Sequence, residues 1–239
     1  MHPHRPTVLI DLDGTMSDSL PGIQAGFREA MAAIDHPVPG AEFLDTIAGP
    51  PMLESFARLG ITGQRAQTAL AAYMAQQQRG GWRQTSMFAG WPELLHSWRA
   101  DGFALATATS KGEYYTRKTL DMFGLLDFFD VIGAADDHGT RREKDDVIEY
   151  ALAELGLPAT RCAAYAPDAA QAPDTRGRGP RQVVMIGDRS HDFAGAAVFG
   201  LPAVAVGWGY GPDAEREQAA AIAHTMQELD AAVRGLLAE

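Results

Sequence analysis

The chain has 239 residues, 46% of them hydrophobic, which is enough for a sizeable core in one large domain or two modest ones. A formal net charge of −11 and a pI of about 5.0 argue against a nucleic acid polymer as partner, while a small anionic ligand in a locally cationic pocket stays compatible with them. A single cysteine, Cys162, excludes an intramolecular disulfide framework and fits a reducing compartment. It lies in an irregular stretch with no helper residue, which argues against a catalytic thiol. Met1–Pro6 lacks the long apolar core of a signal peptide, and no apolar run reaches membrane-spanning length. The expectation is a cytoplasmic protein with no membrane partner.

The first predicted strand, Thr7–Ile10, runs directly into Asp11-Leu12-Asp13-Gly14-Thr15. Continued strand alternation would turn Asp11 and Asp13 to the same side. An isolated Asp-Gly is a common turn, and Asp a common helix cap. Two carboxylates so close resist joint ionisation, however, and a hard divalent cation such as Mg²⁺ relieves the conflict. One of the two is then free to act as a nucleophile.

From about Ser17 to Gln84 the patterns are helical, with no convincing strand. Ile23–Ile34 carries Phe27, Ala30, Met31 and Ile34 at helical spacing, and Glu54–Leu59 and Gln64–Gln78 predict two more helices. Gly60 and Gly80-Gly81 end them. The expectation is an all-helical module over residues 17–84, inserted after the first strand of a core formed by 1–16 and 85–239.

Beyond it, strands are predicted at Phe103–Thr109, Val131–Ala134, Gln182–Ile186 and Ala203–Gly207, each apolar on both faces. Helices are predicted between them at Pro92–Ala100, Glu113–Phe123, Asp145–Leu155 and Asp192–Phe199, with Gly102, Gly124, Gly156 and Gly200 as stops. That alternation is an α/β fold with a doubly wound parallel sheet. Ala159–Arg181, rich in Ala, Pro, Gly and Arg, reads as a surface loop with solvating arginines.

Three further places carry chemistry. Thr109-Ser110 closes an apolar strand, where a hydroxyl and backbone N–H groups can hold phosphate oxygens or simply cap a helix. Lys144 opens a helix, where a cation opposes the helix dipole, so an anion is expected nearby; a solvated basic turn with Arg141 and Arg142 is the plainer reading. Gly187-Asp188-Arg189-Ser190-His191-Asp192 ends another buried strand, placing Asp188 where it would converge with Asp11 and Asp13. Asp192 is also placed to cap the next helix.

In this order the four motifs resemble the haloacid dehalogenase superfamily, in its phosphatase branch, over essentially the whole chain. Asp18-Ser19-Leu20-Pro21-Gly22-Ile23, Gly49-Pro50-Pro51, Gly187–Asp192 and Gly207-Trp208-Gly209-Tyr210-Gly211 make it most similar to the phosphoglycolate-phosphatase-like and 5′-nucleotidase-like groups. Met16 replaces a usual leucine, and the 159–181 loop is longer than typical. The resemblance implies a Rossmann-like core with an inserted helical cap of the C1 type. It implies Asp11 as nucleophile, Asp13 as general acid and base, and Thr109, Ser110 and Lys144 as phosphate ligands. Mg²⁺ would be held by Asp11, the backbone carbonyl of Asp13, Asp188 and Asp192. Pro50 and Arg58 are candidates for substrate contact in the cap.

The function so implied is Mg²⁺-dependent hydrolysis of a small phosphomonoester through a phospho-aspartate. Phosphoglycolate, a nucleoside monophosphate, a sugar phosphate and pyrophosphate all stay open as substrates. A dehalogenase would need no Asp13. A phosphomutase shares the aspartyl-phosphate, and a non-catalytic protein that binds a phospho-ligand is the third alternative. Monomer and homodimer are both compatible with the sequence.

Overall fold

The computed structural model describes residues 5–136, 139–167, 179–180 and 182–238. Residues 168–178 and 181 of the expected 159–181 loop, and the first four residues of the chain, lie outside these.

Six strands form one parallel sheet: β1 (Thr7–Ile10), β4 (Ala104–Gly112), β5 (Val131–Ala135), β6 (Val183–Gly187), β7 (Ala203–Val206) and β8 (Ala221–Ala223). Their spatial order is β5-β4-β1-β6-β7-β8. Counted along the chain, that is the doubly wound order in which direction reverses beside β1, and the crevice beyond its carboxyl end is where such sheets bind ligands.

Alternation along each strand feeds two cores. Val8, Ile10, Val184, Ile186, Val204 and Val206 face one side. There they pack against α5 (Trp91–Ala100), α6 (Glu113–Met122) and α10 (Met226–Ala238). Leu9, Val183, Met185, Ala203 and Ala205 face the other side, against α7 (Lys144–Glu154) and α8 (Ser190–Val198). The strands are therefore apolar on both faces because both faces are covered.

Between β1 and α5 the chain builds α1 (Leu20–Ala33), α2 (Ala41–Leu44), α3 (Met52–Arg58) and α4 (Gly63–Gln78). These helices enclose a third core, with Phe27 against Phe56 (5.6 Å between ring centroids) and Phe43 (6.0 Å). Contrary to the expectation of no strand from Ser17 to Gln84, a short strand β2 (Ser17–Asp18) pairs antiparallel with β3 (Ser86–Met87). Two residues are too few for a period-two pattern to register. The sheet itself gains an edge strand, β8, and the helix α10 behind it, neither of which was expected from the sequence.

Candidate active site

The strands of the switch point deliver their carboxylates to one place. β1 ends at Ile10, and Asp11 follows with its N–H donating to the Ile186 carbonyl of β6 (2.9 Å). β6 ends at Gly187, and Asp188 follows, wholly buried. Asp192 lies in the first turn of α8, and its Oδ2 accepts the N–H groups of Asp188 (3.0 Å) and Arg189 (3.1 Å). The helix starts earlier than expected, with Arg189 as its N-cap, so Asp192 is its third residue and closes a capping box on the Arg189 N–H. Its other oxygen, Oδ1, meets Lys144 Nζ at 2.7 Å.

Lys144 is the first residue of α7 and is buried. Its ammonium donates hydrogen bonds to Asp11 Oδ1 (2.9 Å) and to the Ala108 carbonyl of β4 (2.8 Å), and forms an ion pair with Asp192 Oδ1 (2.7 Å). The anion expected near this cation is thus a pair of carboxylates, and the solvated-turn reading does not describe it. Although burial works against its charge, Asp11 and Asp192 hold the ammonium above its ordinary pKa.

Each of Asp11, Asp188 and Asp192 offers an oxygen within 4.8 Å of the others. One ammonium does not balance three buried carboxylates, and Arg189 is committed to Glu215 (2.9 Å). The consequence is visible in the proton affinities. Burial first, then repulsion from Asp192, pushes Asp11 up to about 6 against the pull of Lys144. Burial, with Asp192 and Asp11 beside it, holds Asp188 well above the usual carboxylate range. Asp188 Oδ2 accepts the Tyr210 N–H (2.7 Å), while its buried Oδ1 has no hydrogen-bond partner among the described residues. An all-oxygen cluster with surplus negative charge and an unpartnered oxygen fits a hard dication such as Mg²⁺.

Asp13 does not join this cluster through its side chain. The strand has ended by then, so alternation no longer governs it: Asp11 meets Lys144, whereas Asp13 binds Lys111 Nζ through both oxygens (2.8 and 3.1 Å). Between them and β2, Gly14 adopts φ +85°, and a Cβ there would overlap Asp188 Oδ2. Only glycine permits that approach.

Thr109 is buried in β4, which runs on to Gly112 with a register irregularity after Thr109; its Oγ1 accepts the Lys111 N–H (3.3 Å). Ser110 beside it is partly exposed. Pro50 is half-buried, next to Gly49, which lies against Arg189. Arg58 is exposed; its guanidinium donates to Thr46 Oγ1 (2.8 Å) and covers the Phe43 ring at 4.5 Å. The structure thus gathers Asp11, Asp188, Asp192 and Lys144, sets Asp13 and Thr109 around Lys111, and engages Arg58 within the helical module.

Four residues of this region had no assigned role in the sequence: Lys111, Arg189, Tyr210 and Glu215. For Lys111 a signal existed, since it directly follows Thr109-Ser110 at the same strand end. The others act through partners far away in the chain: the Tyr210 hydroxyl donates to Asp18 Oδ1 (2.8 Å) and accepts the Leu20 N–H (3.0 Å).

Comparison with known proteins identifies the family and the fold. The haloacid dehalogenase-like hydrolase family matches residues 8–206. The tyrosine-protein kinase PtkA of Mycobacterium tuberculosis is 41% identical over 204 residues, covering 85% of this chain but 62% of that protein, so the chain spans less than two thirds of that relative. A 5′-nucleotidase of Pseudomonas aeruginosa is 31% identical over 211 residues, covering 88% of this chain and 86% of the other. Among solved structures, a predicted phosphatase from Clostridium acetobutylicum superposes with a TM-score of 0.82 at 29% identity, covering 97% of this chain and 99% of that one.

Proposed function

The chain belongs to the haloacid dehalogenase-like hydrolase family, and from that premise we propose that it is a Mg²⁺-dependent phosphatase acting on a small phosphomonoester. The observation that carries this reading is the buried cluster of Asp11, Asp188 and Asp192 around Lys144, with Asp13 set one step further out. Asp11 attacks phosphorus and forms a phospho-aspartate as the ester oxygen leaves. Asp13 gives that oxygen a proton and later takes one from the water that hydrolyses the intermediate. Lys144 keeps Asp11 oriented and, with Thr109 and Ser110, faces the equatorial oxygens on which charge builds. Mg²⁺, held by Asp11, Asp188, Asp192 and the Asp13 carbonyl, would supply the charge that lets two anions approach. Residues 17–84 are the cap in this reading, with Pro50 and Arg58 as its candidate contacts to the leaving group.

Lys111 adds a constraint that the motifs alone do not carry. Its ammonium binds both oxygens of Asp13 (2.8 and 3.1 Å), so Lys111 must turn to another anion before the Asp13 carboxyl reaches the ester oxygen.

Phosphate release from phosphoglycolate, a nucleoside monophosphate, a sugar phosphate and pyrophosphate, with Mg²⁺ and with EDTA, tests the reading. The expected result is Mg²⁺-dependent release that Asp11→Asn lowers by about a thousandfold or more. Wild-type-like hydrolysis by that variant would defeat the nucleophile assignment.

A second reading is favoured by the likeness to a protein named as a tyrosine kinase. There the phosphoryl group passes from Asp11 to a hydroxyl instead of water, on a protein or, in a phosphomutase, on a sugar. Retention of label on an acceptor without free phosphate would select it. Binding of esters with neither outcome would select a non-catalytic role.

A further inference from the structure

We infer that Arg189 is a positioning residue, a latch that holds the helical module seated over the carboxylate cluster. It sits between Asp188 and Asp192, with its own N–H fixed by Asp192 Oδ2 (3.1 Å). Its side chain is almost fully buried, 9% exposed, and reaches away from the cluster into the helical module. Nη1 donates to the carbonyls of Ala48 (2.6 Å) and Thr46 (3.4 Å). Nε and Nη2 donate to the two oxygens of Glu215 (2.9 and 3.2 Å), on the short helix α9 (Asp213–Arg216).

Both sides of this contact are shaped for it. Ile47 and Ala48 belong to the apolar core of the module, so their backbone cannot shift without disturbing Phe27 and Phe56. Gly49 has φ +102°, and a Cβ there would come within 3.0 Å of Arg189 Cγ. On the core side Glu215 Oε2 also accepts the Ser190 N–H (2.8 Å), so the carboxylate that seats the guanidinium is tied to the first turn of α8. A planar fork spans these partners at once, which a lysine cannot do.

The geometry separates two ends of the module. At its base the Tyr210 hydroxyl bonds to Asp18 and Leu20, while the Tyr210 N–H holds Asp188 Oδ2. At its lip Arg189 binds bare carbonyls through one nitrogen. Movement of the module away from the cluster breaks the lip contact and leaves the base in place. Two buried N–H donors lose their carbonyls in the process unless water replaces them, so the latch biases the module toward the seated state. Because the same residue lies between Asp188 and Asp192, seating of the module and the shape of the acidic loop are coupled.

Hydrogen exchange on the full chain, without substrate, tests this. Arg189→Met is expected to speed exchange across residues 44–58 by about tenfold, the loss of one charged hydrogen bond to the seated state. Thr7–Ile10 and Val183–Gly187 should exchange as before. Glu215→Gln, which keeps one oxygen to accept the Ser190 N–H and leaves Asp188 and Asp192 unaltered, should give the same pattern more weakly. Unchanged exchange over 44–58, or equal loosening everywhere, would overturn the latch, the latter marking a merely structural arginine.

The kinetic arm rests on the phosphatase reading. Arg189→Met should raise KM about tenfold with kcat changed less than threefold, because seated and unseated states differ in ester affinity. A fall in kcat at constant KM would overturn the assignment. If the wild-type protein releases no phosphate, the phosphatase reading fails while the exchange experiment still decides the latch.

Discussion

Charge balance at single residues dominates this site. Lys144 pairs with Asp11 and Asp192 at once, yet Asp188 Oδ1 and Asp192 Oδ1 are both left without a hydrogen-bond partner among the described residues. Without a metal, Asp11 is pushed up to about 6 from an ordinary 3.8, by burial first and by Asp192 next, against the pull of Lys144. A carboxyl whose folded pKa exceeds its unfolded one stabilises the fold fully below the unfolded value and loses that contribution as pH rises through the folded value. Asp188 is shifted in the same direction. The protein in EDTA should therefore melt several degrees lower at about pH 7.5 than at about pH 5, and Mg²⁺ should restore more at the higher pH. Equal melting at both pH values, read by calorimetry, would show that the buried charge is compensated some other way.

At the scale of elements, strand ends and helix starts aim these groups, and glycine lets them come close. Gly14 carries φ +85° and leaves room for Asp188. In α8, Gly195 leaves room for the Lys144 stem, whose Cγ a Cβ there would approach to 2.7 Å. Gly14→Ala should cost about 1–2 kcal/mol from the backbone alone. It should also displace the Asp188 carboxylate, so Mg²⁺ activation should need a higher concentration. Thermal melting beside a Mg²⁺ titration of phosphate release checks both parts; an unshifted titration would mean that Asp188 is not a metal ligand.

The same scale explains what was legible in the sequence. Long apolar strands such as Phe103–Thr109, and the glycines that end helices, carry periodic or local signals, and the sheet and the main helices follow from them. β2 and β8 are two and three residues long, below the reach of any period. Asp11, Asp188 and Lys144 could be picked out because a charge at the end of a buried strand or at a helix start is anomalous where it stands. Arg189 stood inside a motif and still had no readable role, since its partners Ala48 and Glu215 are set by tertiary folding alone. The sequence offers Arg58 as a substrate contact, and its hydrogen bond to Thr46 Oγ1 is a feature that only the folded chain reveals.

For the whole molecule, the pairing of β2 with β3 matters more than its length suggests. Asp18 lies opposite Ser86, so the helical module leaves and rejoins the core at one point. The module also has its own apolar interior, separate from the two that flank the sheet. We propose on this basis that 17–84 is an insertion. Joining Asp18 to Ser86 through an Asn-Gly turn should then give a core that melts cooperatively, with turnover of the ester lost or sharply reduced. A chain that aggregates instead, judged by circular dichroism and size-exclusion chromatography, would make module and core one folding unit.

The Thr15 carbonyl, at the root of that same junction, accepts two indole N–H groups, from Trp91 at 3.1 Å and from Trp208 at 3.0 Å. Trp91 is wholly buried, whereas Trp208 is partly exposed and stands near Phe88. On the latch proposal, this junction is an optical gauge between the helical module and the sheet. Any tilt of the junction alters the polarity felt by Trp208 more than that felt by Trp91. The proposed opening should thus shift the ultraviolet emission of the unlabelled protein, and Trp208→Phe should remove that shift while Trp82, Trp91 and Trp98 still emit.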